Sequence, residues 1–135
     1  DYPMKQVEIV MLSECNLYNT ELLPVITLYN SYFGGSMSGV VFQDLRESKA
    51  LAYSAYSQYT TPRKPIKKHI NFSYIGSQAD KLSEALKGMS DLLNNMPRAD
   101  ASFISAKEYV SPSISLFHSS SHVLLSTSFS NNRRQ

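Results

Sequence analysis

Between Tyr32 and Tyr59 the chain changes its hydrophobic period, and that change constrains its fold more than any other feature. Up to Phe33 the apolar residues recur at helical spacing: Leu22, Leu23, Val25, Ile26, Leu28, Tyr29, Tyr32 and Phe33. So broad an apolar face belongs to a mostly buried helix. Pro24 is tolerable because it falls in the first turn. Thr20 is a reasonable N-cap, and Glu21 behind it favours the positive helix end. We expect Gly34 and Gly35 to end this helix, since glycine accepts the left-handed C′ conformation. A second helix comes next, capped by Ser36 or Ser38. Val40, Val41, Phe42 and Leu45 give its apolar side, and Asp44, Glu47 and Lys49 its wet side. From Leu51 to Thr60 the period drops to two, with Tyr53, Ala55, Ser57 and Tyr59 on one face of a strand.

The flanking chain supplies partners for these elements. Lys5 to Ser13 alternates as a strand, with Val7, Ile9 and Met11 in one row, and Cys15 to Asn19 reads as a turn-rich connection. After the prolines of Thr61–Pro65, which mark a hairpin turn, Ile66 to Gly76 reads as the returning strand. Gln78 to Met96 carries the clearest helical stripe: Leu82, Ala85, Leu86, Met89, Leu92, Leu93 and Met96. Ser77 with Asp80 approximates a capping box. Pro97 stops this helix, and Asp100 opens a shorter one through Ala106 that uses Phe103 and Ile104 as contacts. The order is β, α, α, β, β, α, α. Antiparallel strands with helices packed on one face make an α+β domain, and we assign it residues 1–110. Residues 111–135 are a Ser-rich tail, in which Val123 to Phe129 either forms one more strand or is poorly ordered.

Composition removes several classes of function. A chain of 135 residues forms one domain and buries roughly two thirds of its unfolded surface. Thirteen Lys and Arg against 11 Asp and Glu argue for no strongly charged partner. The basic group Arg63, Lys64, Lys67 and Lys68 reads as a solvated hairpin tip, and no nucleic-acid partner is expected. The strand aromatics Tyr53, Tyr56, Tyr59, Phe72 and Tyr74 lack the glycine-flanked signature of a base-stacking sheet, so core or cleft packing is expected of them. Cys15 has no neighbouring His or positive charge to activate it. No apolar run is long enough to cross a bilayer, and no signal peptide is visible. A soluble chain of unassigned compartment is therefore expected. The lack of an initiator Met suggests a processed or excised piece.

Two motifs carry a resemblance. The first is Tyr32-Phe33-Gly34-Gly35-Ser36. The second is Leu45-Arg46-Glu47 followed by Leu51-Ala52-Tyr53. Both resemble the non-catalytic half of insulinase/pitrilysin-type zinc metallopeptidases. Gln78-Ala79-Asp80-Lys81 and Met96-Pro97…Phe103…Ala106-Lys107 extend the likeness, which runs from about Val7 to Lys107. The resemblance implies that Arg46 and Tyr53 are substrate-binding residues. It implies a peptide substrate and a partner, the zinc-bearing N-terminal half-domain, whose H-x-x-E-H motif holds the metal. This chain lacks that motif. No cofactor is expected on it, and alone it is expected to be inactive. The alternative is a non-catalytic peptide-binding or scaffold subunit of a processing-peptidase-like complex. After Lys107 the family's half-domain continues with a longer helix and a second α/β unit, whereas this chain turns Ser-rich. Truncation or a changed continuation would each account for that.

His118 and His122 stand four apart, the spacing that could share a metal on a helix. Three serines between them favour no helix, and no third ligand is evident. No metal site is assigned.

Overall fold

The computed structural model describes residues 5–64 and 67–112. Three antiparallel strands form its sheet: β1 (Gln6–Leu17), β2 (Ser54–Thr60) and β3 (Lys68–Gln78), in spatial order β1-β3-β2. Four helices accompany them: α1 (Leu23–Tyr29), α2 (Val40–Phe42), α3 (Leu82–Asn94) and α4 (residues 100–112). The α+β architecture expected from the sequence is the one observed.

β1 runs past the expected end at Ser13. Its register against β3 shifts between Glu14 and Leu17, so residues expected to be a loop form a bulged strand end. The cap of the first helical segment is Asn19 rather than Thr20, and its side chain accepts a bond from Glu21 N at 2.9 Å. Pro24 lies at the start of α1, as its missing N–H requires. α3 begins later than Gln78, after a 3-10 turn at Ala79–Lys81. The expected Ser77–Asp80 box does not form, because Ser77 Oγ donates instead to Leu51 O at 2.6 Å. α4 reaches residue 112, beyond the expected Ala106. Its buried residues are Ala106 and Val110; Phe103 packs edge-on against Tyr32, as expected of a contact residue, whereas Ile104 is mostly exposed. The expectations for Val123–Phe129, His118 and His122 lie outside the described residues.

Both early helices widen before they end. α1 passes into a π-turn at Asn30–Gly34, and Gly35 N bonds Asn30 O at 2.6 Å. α2 passes into another at Gln43–Ser48, and Lys49 N bonds Asp44 O at 3.0 Å. Gly34 and Gly35 do not take the left-handed conformation expected of them. Gly34 is required for a different reason: a Cβ there would lie 1.7 Å from Ser57 O. The wide turn thus brings helix backbone directly onto β2. It also aims Asn30 at the same strand, where its side chain accepts from Tyr59 N at 2.7 Å and donates to Tyr59 O at 3.0 Å. The amide stands in for a neighbouring strand at that edge.

The core lies between the sheet and its helices. Phe33, Val40, Val41, Leu45, Ala55, Ile75, Ala85, Met89 and Leu92 form one buried cluster. The inner sheet face also buries Ser57, His69, Ser73 and Ser77. These polar groups are bonded, as burial demands. Ser73 Oγ donates to Ser57 Oγ at 2.9 Å, and Ser57 Oγ donates to Asn71 Oδ1 at 3.0 Å. His69 stacks on Tyr18, and its Nδ1 lies 3.2 Å from Thr60 O. The opposite face carries Tyr56 stacked on Phe72 and Tyr74, at 5.9 and 5.2 Å between ring centres. Tyr56 is partly exposed there, so these aromatics pack on the outer face and not in the core.

Candidate functional site

Arg46 sits in the π-turn that ends the second helix, and Tyr53 stands just before β2. The two are joined by a short corner. Lys49 closes the wide turn, and Ala50 then takes a left-handed φ of 50°, which reverses the chain. Hydrogen bonds fix the corner from Ala50 to Tyr53. Leu51 N donates to Leu45 O at 2.8 Å, and Leu51 O accepts from Ser77 Oγ. Tyr53 N donates to Gly76 O at 2.8 Å. Lys81 Nζ donates to Ala50 O at 2.9 Å. Leu45 and Ala52 anchor the corner in the core from either side.

Arg46 and Tyr53 line the same cavity, of about 340 Å³, together with Glu47, Ala50, Leu51, Ala52, Gln78 and Lys81. Both residues are accessible, with 43% of the Arg46 side chain and 49% of Tyr53 exposed. The guanidinium carbon of Arg46 lies 4.7 Å from the centre of the Phe42 ring, which holds the side chain from below. Glu47 Oε1 is 3.8 Å from Arg46 Nε, a loose, solvated pairing that leaves the guanidinium able to donate. The cavity therefore combines two cations, one carboxylate, a phenol and an amide. The side chains of Arg46, Tyr53, Gln78 and Lys81 are all able to donate hydrogen bonds, which suits a ligand rich in carbonyl or carboxylate oxygens.

A larger cavity of about 630 Å³ opens between β1, α1 and α3, lined by Met11, Leu22, Val25, Ile26, Leu93 and Met96 among others. It is mostly apolar and holds neither Arg46 nor Tyr53. We place the candidate site at the smaller cavity because charge and hydrogen-bond donors converge there. Among the described residues no three His, Cys, Asp or Glu side chains gather to hold a metal ion. No described helix is long and apolar enough to cross a membrane.

Sequence reasoning missed Gln78, Lys81 and Glu47 as neighbours of the pair. Lys81 carried one signal. It stands just ahead of α3, where the helix dipole favours anions. A lysine there is of the wrong sign unless it reaches another partner, and it does.

An antiparallel sheet covered by helices on one face, with an Arg and a Tyr lining one cavity at its rim, defines an α+β domain. The comparisons agree. The profile described as "Peptidase M16 inactive domain" matches residues 3–108, and the chain belongs to that family. It is the family to which the insulinase-type motifs pointed. In it the zinc belongs to the partner domain, and the inactive domain is zinc-free. An uncharacterized zinc protease of Bacillus subtilis (strain 168), YmxG, is 50% identical over 36 residues, 27% of this chain and 9% of that protein. The crystal structure of a peptidase M16 inactive domain from Pseudomonas fluorescens superposes with a TM-score of 0.63 at 18% identity. The match covers 84% of this chain and 28% of that one. The chain thus spans under a third of either relative.

Proposed function

We propose that this chain is the substrate-holding half of a zinc-dependent peptidase, acting with a separate zinc-bearing half that carries H-x-x-E-H. The observation that supports this reading is the convergence of Arg46 and Tyr53 on one donor-rich cavity. When bound in the partner half, zinc supplies the activated water for peptide hydrolysis. The part of this chain is to orient the peptide. The Arg46 guanidinium and the Tyr53 hydroxyl donate to carbonyl oxygens of the extended substrate. Such donors act most strongly where negative charge develops, and losing one typically costs about 3–4 kcal/mol, on the order of a hundred- to thousandfold in rate.

The test pairs this chain with a zinc half from a relative and monitors cleavage of a fluorogenic peptide. Arg46→Ala and Tyr53→Phe should each depress kcat by that order while the fold is kept. Lys49→Ala, which removes only a surface pairing with Asp44, should do little. If both substitutions leave cleavage within about twofold, they remove less than about 0.5 kcal/mol of transition-state stabilisation and this reading fails. Binding of the peptide through Arg46 and Tyr53 with no cleavage in any pairing would instead support a non-catalytic binding subunit.

A further inference from the structure

We infer that Lys81 is a positioning residue for the Arg46–Tyr53 site, a strap from the start of α3 that holds the corner between the two. The inference rests on the proposed peptidase reading for its functional consequence, and on geometry alone for the strap.

Arg46 and Tyr53 are separated by the corner at Ala50, so the shape of that corner sets how they face the cavity. Ala50 is the one non-glycine residue with positive φ among the described residues, and a side chain there favours other conformations. Left to itself, the corner would relax. Leu51 is secured on both its N–H and its C=O, by Leu45 and by Ser77. Tyr53 is secured by Gly76. The carbonyl of Ala50 itself is bonded by Lys81 Nζ at 2.9 Å. A charged donor on a carbonyl gives one of the stronger neutral-acceptor bonds available to a protein.

The strap spans elements that are otherwise separate. Lys81 belongs to the 3-10 turn leading into α3, whose Ala85, Met89 and Leu92 are anchored in the core. Arg46 belongs to the second helix and Tyr53 to the entry of β2. The lysine therefore ties the rim of the cavity to the most regular helix of the domain. It also lines the cavity itself, so its charge adds to that of Arg46 on any bound carbonyl or carboxylate. Its half-buried position ahead of α3 opposes the helix dipole, and the bond to Ala50 O offsets that cost. Ser77 holds Leu51 in the interior. Lys81 does the same at the surface, where ligand arrives.

Two readouts keep failure of the strap distinct from failure of the peptidase reading. On this chain alone, amide exchange at Leu51 and Tyr53 should speed at least tenfold in Lys81→Met, while the β1–β3 ladder keeps its protection. Lys81→Arg should restore it. In wild type, a scalar coupling from Lys81 Nζ to the Ala50 carbonyl carbon should be visible whether or not the variant folds. With the zinc half and a fluorogenic peptide, Lys81→Met should lower kcat about tenfold or more, the scale expected when reacting groups are slightly misplaced. Lys81→Arg should return it to near wild type. Unchanged exchange in Lys81→Met, or no coupling in wild type, overturns the strap whatever the enzymology shows. If Arg46→Ala and Tyr53→Phe abolish cleavage and Lys81→Met does not alter it, the positioning role is wrong and the peptidase reading stands.

Discussion

Gly34 and Ala50 are two small residues whose roles are exchanged relative to expectation. Gly34 closes the π-turn without a left-handed φ and is required because Ser57 O occupies the space of a Cβ. Ala50 has the left-handed backbone that glycine would favour. Substitutions should therefore move stability in opposite directions. Gly34→Ala places a methyl against strand backbone, which cannot rotate away as a side chain does. Overpacking usually costs about 1–3 kcal/mol, and we expect the upper end of that range or a chain that fails to fold. Ala50→Gly removes a left-handed penalty of about 1–2 kcal/mol and adds about 0.4–1 kcal/mol of unfolded-state entropy, so it should stabilise by up to about 1.6 kcal/mol. Urea denaturation of both variants checks the pair. Loss of stability on Ala50→Gly would show that the corner depends on the alanine methyl.

Elements with a strong period were legible, and devices that depend on a partner were not. The stripe of α3 delivered Ala85, Met89 and Leu92 to the core as read, and the alternation before Thr60 delivered β2. Three features had no signal. The π-turns at Asn30–Gly34 and Gln43–Ser48 repeat once each, too briefly to leave a period. Caps moved because Asn19 competes with Thr20, and Gly39 replaces both serines ahead of α2. Ser57, Ser73 and Ser77 look like solvent residues, yet their hydroxyls bond one another or nearby backbone, which removes the cost of burial. Of the site, Arg46 and Tyr53 came from their resemblance to a motif, whereas Lys81 depends on a contact 31 residues away in the chain. The polar line beneath α1 also sets a pH dependence. Burial raises the Tyr29 phenol above its ordinary value of 10.0, while bonds to Ser57 and Asn71 pull it partly back. A raised folded value means the neutral phenol's stabilisation is complete below pH 10 and is lost as pH climbs through the folded value. Thermal stability should therefore fall above pH 10, and Tyr29→Phe should flatten part of the fall. Tyr59 and Tyr74 are also raised, chiefly by burial, and should leave a residual slope. An equal slope in wild type and Tyr29→Phe would remove Tyr29 from the account.

As a whole molecule, this is one α+β layer pair with its candidate site on one rim and no metal ligands gathered among the described residues. A catalytic zinc needs about three protein ligands with an open fourth position. The family assigns those ligands to the other half, and this chain matches only 28% of the length of its crystallographic relative. On the function proposed above, hydrolysis is a property of the pair. After incubation with zinc and desalting, elemental analysis of this chain should find well under one zinc per molecule, and it should cleave no peptide. Added to a fixed amount of zinc half, it should raise the cleavage rate until the rate saturates, since an intermolecular site is complete only in the complex. If Arg46 meets substrate as proposed, Arg46→Ala should saturate at a similar concentration but at a far lower plateau. A variant that reached the wild-type plateau only at higher concentration would mean that Arg46 serves the contact between halves. One tightly held zinc on the isolated chain, with cleavage of its own, would mean that the chain carries a complete site.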